Sequence, residues 1–289
     1  MSLIGSIQNL QQGPVLGFGE GRFVRSNLNR FEKSDAASPL SLKIVRNGAE
    51  KYQVGSQAYK VQSGQVLLVN RGEALETQVH SRENTSGVCI YPPMDLIEEV
   101  YFHRKTSLDQ QLEFSPKPEG SYHFTSRVFR LDLGNGLTHY LNQSIHHLED
   151  STPKDESWWL DFYLNLAEHM VSDQMEVESS LQRVVSVKKQ TREELYRRIL
   201  KARDYIHDHK FGSIDLDTLA QNSSLSKFHF LRTFKAIFGK SPYQYLLQLK
   251  IKEAQVLLDQ GVSYQEAALA VGYSDGKNLR KVLVSKKCI

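Results

Sequence analysis

Residues 226–246 read "SKFHFLRTFKAIFGKSPYQYL". Phe228, Phe230, Phe234 and Phe238 alternate there with His229, Arg232 and Lys235 before the run stops at Gly239 and restarts at Ser241-Pro242. Apolar residues at helical spacing beside a basic edge predict an amphipathic helix. Ser226 is placed to cap its start, Gly239 to end it, and Pro242 to occupy the first turn of the helix that follows.

Similar punctuation continues outward. Thr191 with Glu194 forms a T-x-x-E capping box before "LYRRILKARDYIHDH", Asp215 can cap "LDTLAQN", and Ser263 with Glu266 makes a second box before "AALAV". Gly239, Gly261 and Gly272 mark breaks, so an all-helical region of short segments is expected. Leu216 to Ser223 and Ser226 to Phe238 are separated by a turn of two or three residues, the spacing of a helix-turn-helix whose second helix enters the DNA major groove. Val262 to Val271, a turn through Gly272-Tyr273-Ser274-Asp275, and Gly276 to Ser285 repeat that unit. The intervening helix, Pro242 to Gln260, would be roughly 28 Å long and would set two reading helices about one DNA turn apart.

These residues resemble the AraC/XylS family of arabinose-regulator-like transcription factors. Its signature, "LA…S…(F/L)xRxFKxxxGxSPxxY…A…LL", is matched in order by Leu219, Ala220, Ser226, Phe230, Arg232, Phe234, Lys235, Gly239, Ser241, Pro242, Tyr245, Ala254, Leu257 and Leu258. The second half of the signature resembles Ala268, Gly272, Tyr273 and Asp275. The resemblance implies that Phe230, Phe234 and Phe238 face the domain core, while a DNA-facing edge is formed by Ser226, Lys227, Phe228, Leu231, Arg232 and Lys235. Arg232 has the fork for a guanine edge or a phosphate, Lys227 and Lys235 suit phosphates, and Phe228 or Leu231 suits a thymine methyl. In the second unit, Asn278 has the amide suited to adenine, and Lys277, Arg280 and Lys281 suit phosphate or guanine. A merely solvated basic face is the plainer reading of each.

The chain departs from the family at Leu279 and Leu283, where an aromatic is usual, and at Val284, where a basic residue is usual. No closing "GxxPxxYR" precedes Ile289. The expectation is that the last helix of the domain is missing, which sets up an alternative function: a ligand-binding or interaction protein whose DNA-binding part is incomplete.

Charge divides the chain in the same place as the motifs. Residues 1–186 carry 17 Lys+Arg against 23 Asp+Glu, a net −6, and residues 187–289 carry 19 against 10, a net +9. A polyanion therefore suits the second part and not the first, and a solvated Lys/Arg surface on a helical domain accounts for the same charge. In the first part "LSLKIVRNG", "EKYQVGSQAYKVQSGQVLLVN" and "GVCIYPP" are short β-branched and aromatic runs broken by glycines, and Tyr52, Val54, Tyr59 and Val61 flank the hairpin turn Gly55-Ser56. A small antiparallel barrel or sandwich follows, more loosely similar to the cupin-type sensor of many family members. Met94 to Arg104 reads as helix; "KPEGSYHFTSRVFRLD" reads as a strand or a loop. A helix from Asp155 to about Met175 carries Trp159, Phe162, Tyr163, Leu166 and Met170 on one face, as core or as a subunit interface. "DQMEVESSLQRVVSVKKQ" reads as an irregular linker.

The expected fold is thus a multidomain α+β chain: a cupin-like antiparallel barrel with helices over 1–150, a dimerisation helix and linker over 151–186, and an all-α domain with two helix-turn-helix units over 187–289. The resemblance implies double-stranded DNA as partner, a homodimer, RNA polymerase if the protein activates, and a small-molecule effector. Inward strand residues Leu42, Ile44, Tyr52 and Tyr59 would line the effector pocket, and they fit a packed core as well. Metal-binding cupins carry HxH and a later PxGxxxH; here Asn70 and Leu75 stand at the proline and histidine positions, and no HxH precedes them, so neither a metal nor another cofactor is expected. His146-His147 and His207 with His209 lack convergent carboxylates. No paired carboxylates, Ser/His/Asp set or phosphate loop stands out, so no enzyme is expected. The absence of a long apolar run or signal peptide, with Cys89 and Cys288 far apart and read as ordinary thiols, predicts a cytoplasmic protein without a membrane span.

Overall fold

A computed structural model describes residues 2–15, 18–106, 122–125, 127–133, 136–149, 154–184 and 188–286. The chain divides into two compact units, Met1–Val177 and Glu178–Ile289. The first contains an eight-stranded antiparallel sheet: β1 (Ser2–Val15), β2 (Phe18–Asp35), β3 (Ser41–Asn47), β4 (Ala49–Val54), β5 (Gln57–Gln62), β6 (Gln65–Val69), β7 (Leu75–Tyr91) and β8 (Val128–Arg130). Pairing runs β1-β2-β7-β3-β6-β8, with the β4–β5 hairpin joined through β4 to the first half of β7. Tyr52 pairs with Tyr59 across that hairpin, and Gly55 takes φ +56° at its turn, a left-handed value that suits glycine. β1 and β2 lie ahead of the strands expected from the sequence: their glycines and polar residues hide an alternation that only the pairing of β2 with β7, and of β1 with β2, makes visible.

β3 is buried on both faces. Leu42 and Ile44 join Phe23, Val66, Leu68, Val88 and Ile90 in a layer covered by α1 (Met94–Lys105), α2 (Gly136–Glu149) and α3 (Glu156–Gln182). Val45, Leu67, Val69, Tyr52, Val54, Val61 and Leu75 fill the inner side, between β3/β6 and the β4–β5 hairpin. Each fully buried aliphatic side chain contributes roughly 1.5–3 kcal/mol. The aromatic stripe of α3 belongs to the first layer: Trp159 and Phe162 pack on Phe23 at 5.7 and 5.9 Å, and Tyr163, Leu166 and Met170 are buried with them. This stripe is intramolecular core.

α3 also runs well past Met175, into the stretch expected to be an irregular linker. Gln174, Val177, Leu181 and Val184 continue the buried face, and Gln174 is satisfied by Thr125, whose N–H it accepts at 3.0 Å and whose hydroxyl it reaches at 3.3 Å. A buried glutamine disguised the helical period.

The second unit contains α4 (Lys189–Asp208), α5 (Leu216–Asn222), α6 (Lys227–Phe238), α7 (Pro242–Asp259), α8 (Tyr264–Ala270) and α9 (Gly276–Lys286). Asp215, Ser226, Ser241 and Ser263 cap α5 to α8, with full capping boxes at Ser241/Gln244 and Ser263/Glu266. The box expected at Thr191/Glu194 is absent. α4 starts at Lys189 with Lys188 as an N-cap that makes no side-chain bond, so Glu194 lies inside the helix and accepts from Arg198 at 2.8 Å and pairs with Arg197 at 3.1 Å. Those pairs, the Arg198 hydrogen bond foremost, hold its carboxyl below the usual value.

Candidate DNA interface

α6 is built by its own periodicity. Phe230, Thr233, Phe234 and Ile237 are buried at i, i+3, i+4 and i+7, and Phe234 and Phe238 meet Tyr245 of α7 at 5.7 and 5.2 Å. Tyr245 Oη lies 3.0 Å from His207 Nε2 on α4, so that histidine is occupied in the scaffold. The opposite ridge of α6 carries Phe228, Arg232 and Lys235, all exposed, with Phe228 at 75%. Neither Arg232 nor Lys235 has an ion pair among the described residues. Two of the other expected contacts are partly committed: Lys227 Nζ pairs with Asp217 at 2.5 Å, and Leu231 lines an apolar cleft of about 320 Å³ with Leu219, Pro242 and Tyr243. Ser226 is used as the N-cap, accepting from the His229 N–H at 3.4 Å.

The turn between α5 and α6 is tight. Buried Ser223 donates its hydroxyl back to Ala220 O at 2.9 Å, and Ser224 takes φ +52°, a left-handed conformation that no glycine in the sequence announces. At the far end, Gly239 closes α6 at φ +71°, and Arg183 donates to the carbonyls of Ala236 and Ile237 at 3.1 and 3.2 Å. The recognition helix is thereby held at both ends.

The second unit repeats this with smaller side chains. Leu279 is fully buried among Ala254, Ala267, Ala268 and Val271, so leucine fills the place where an aromatic was expected. α9 approaches α8 closely enough that a Cβ on Gly276 would meet the Tyr264 carbonyl at 3.0 Å. Lys277, Lys281 and Val284 form the exposed ridge, and Asn278 and Arg280 flank it. Asp275 caps α9 by accepting from the Asn278 N–H at 2.8 Å and from its side-chain amide at 3.1 Å, so that amide is engaged at the helix start. Arg280 lies 6.0 Å over the Tyr264 ring. Val284 occupies the position that Lys235 holds on α6 and Lys277 the position of Phe228, so the two ridges carry two cations each at different places.

A family model described as an AraC-like ligand binding domain matches residues 20–156, and one described as a helix-turn-helix domain matches residues 219–285. The chain is similar to AraC-type regulators over its first unit and carries a helix-turn-helix domain in its second. The MmsAB operon regulatory protein of Pseudomonas aeruginosa is 43% identical to it over 72 residues, 25% of this chain and 24% of that protein. The uncharacterized HTH-type transcriptional regulator YbfI of Bacillus subtilis is 32% identical over 76 residues, 26% and 28% of the two chains. The chain thus spans only these fractions of the two relatives' own length. The structure of unsaturated fatty acid bound ToxT from Vibrio cholerae aligns with 91% of each chain at 11% identity and a TM-score of 0.33.

In the AraC-like ligand-binding unit, the four expected pocket residues are not brought together. Leu42 and Ile44 face the helices, and Tyr52 and Tyr59 face the inner side. The sequence reading passed over a polar group on that inner side. Lys43, only 8% exposed, donates from Nζ to Cys89 Sγ at 2.9 Å and to Tyr91 Oη at 3.0 Å. Burial opposes its charge, but Cys89 and Tyr91 outweigh that and raise its pKa above the ordinary lysine value. Glu50 is buried nearby and accepts from the Tyr52 hydroxyl; burial pushes its carboxyl above the usual range, more than Tyr52 and Lys43 pull it down. One signal was legible: a lysine at the centre of the apolar strand "SLKIV".

Proposed function

We propose that this AraC-type protein is a sequence-specific DNA-binding transcription regulator whose first unit senses a small-molecule effector. One observation carries the reading: α6 presents Arg232 and Lys235, without an ion pair among the described residues, on the ridge opposite a buried aromatic face, at the recognition position of a capped helix-turn-helix. α6 reads one major-groove segment through Arg232, and α9 contributes mainly phosphate contacts through Lys277 and Lys281. The regulator acts as a homodimer in the cytoplasm, contacts RNA polymerase if it activates, and carries out no reaction of its own. No described helix is long and apolar enough to cross a membrane. Sedimentation tests the dimer. Fluorescence anisotropy with operator DNA tests the reading helix: Arg232→Ala is expected to weaken specific binding by about 1–3 kcal/mol while leaving binding to unrelated duplex nearly unchanged. Equal loss on both would reduce Arg232 to a phosphate contact.

A further inference from the structure

Lys43 is a buried cation that makes no ion pair among the described residues, although the buried Glu50 feels its charge. Its two acceptors are a thiol sulfur and a phenol oxygen, and among the described residues no carboxylate accepts from it. A buried ammonium is costly unless an anion pairs with it. Ser41, two residues earlier on the same face of β3, is fully buried, and its Oγ has no hydrogen-bond partner. One register step beyond the Leu42–Ile90 pair, Ser41 stands opposite Tyr91. Arg22, half-buried, lies 3.9 Å over the Tyr91 ring. Two cations and an unused hydroxyl therefore converge on Tyr91. The buried Glu50 accepts from the Tyr52 hydroxyl and not from Lys43.

We propose that Ser41, Lys43 and Arg22 around Tyr91 form a binding site for the carboxylate group of a small organic acid. Among the described residues, Lys43 and Arg22 stand against one buried acid, Glu50, a balance that accepts a monoanion, and the Lys43 N–H and Ser41 O–H supply donors for two oxygens. The half-exposed Arg22, Cys89 and Tyr91 mark the side from which it enters. The inference rests on the effector-sensing reading of this unit and gives the effector a charge class.

Cys89 sits in contact with Lys43 and serves as the reporter. With Cys288→Ser, Cys89 is the sole thiol of the full-length chain. Its alkylation by uncharged N-ethylmaleimide is timed against increasing acetate, acetamide, inorganic phosphate and chloride at constant ionic strength, and thermal midpoints are recorded in parallel. Saturable slowing and a raised midpoint with acetate alone are expected, with the apparent affinity about tenfold or more weaker in Lys43→Met, the loss of a charge-assisted hydrogen bond. Ser41→Ala, which a purely structural serine would tolerate without consequence, should weaken the acetate effect several-fold and keep the fold intact. Acetamide acting as acetate does, a response to phosphate or chloride alone, no response to acetate in either readout, or an unchanged acetate effect in Ser41→Ala overturns the proposal. Because thiol protection is read without DNA, its failure leaves the DNA-binding reading untouched, and failure of operator binding leaves the site untouched.

Discussion

Gly272 shows how much one position carries. It adopts φ +80°, and a Cβ built there would come within 2.6 Å of the Phe211 carbonyl oxygen, a backbone atom that cannot swing away. Strain and clash act together, so Gly272→Ala should destabilise the second unit by about 2 kcal/mol or more, measured by urea unfolding. A loss below about 0.5 kcal/mol would mean that the α8–α9 turn relaxes freely. Asp173 carries a different kind of cost. Burial first, then Glu176, raise its pKa from 3.8 to about 6, against the Leu137 N–H that favours the charged form. A folded pKa above the unfolded one means that the native state holds the proton more tightly. Its stabilising contribution is full below about pH 4 and is lost as pH rises through about 6, on the order of 1–3 kcal/mol for a half-exposed group. Asp173→Asn should flatten that part of the stability profile, and an unchanged slope in urea melts across the same range would contradict the assignment.

At the scale of elements, α5 to α8 were legible because each of their starts is written locally, whereas the start of α4 is not. Asp215, Ser226, Ser241 and Ser263 cap through side chains adjacent in sequence to the N–H groups they satisfy. The exposed basic ridge of α6 was equally legible, since helical period alone separates Phe230 and Phe234 from Arg232 and Lys235. What could not be read depends on partners distant in sequence. β2 is recognisable only through its register with β7 and β1 only through its register with β2, and the end of α3 only once Thr125 satisfies Gln174. The same holds for Arg183, whose role is visible only where it meets the end of α6. Arg183→Ala frees the Ala236 and Ile237 carbonyls and should cost about 1 kcal/mol, seen as faster amide hydrogen exchange confined to the last turn of α6. Uniformly faster exchange throughout the second unit would point instead to a global role in its fold.

Across the whole molecule, the net −6 of residues 1–186 and +9 of residues 187–289 fit the proposed division between a ligand-sensing part and a DNA-binding part. The inner polar group of the barrel escaped the sequence reading because Lys43, Cys89 and Tyr91 are brought together only by strand pairing, and a lysine in a strand usually points to water. Effector chemistry is therefore less legible than DNA binding: a helix-turn-helix encodes its reading edge within a few turns, whereas a barrel pocket draws one residue from each of several strands. The most direct test is binding of the purified chain to the duplex upstream of its own gene and to an unrelated duplex, each over a salt series. A steep salt dependence on both, with affinity for the upstream site tighter by about 10³ or more at physiological salt, is the predicted result. Equal affinity for the two duplexes at every salt concentration would contradict it.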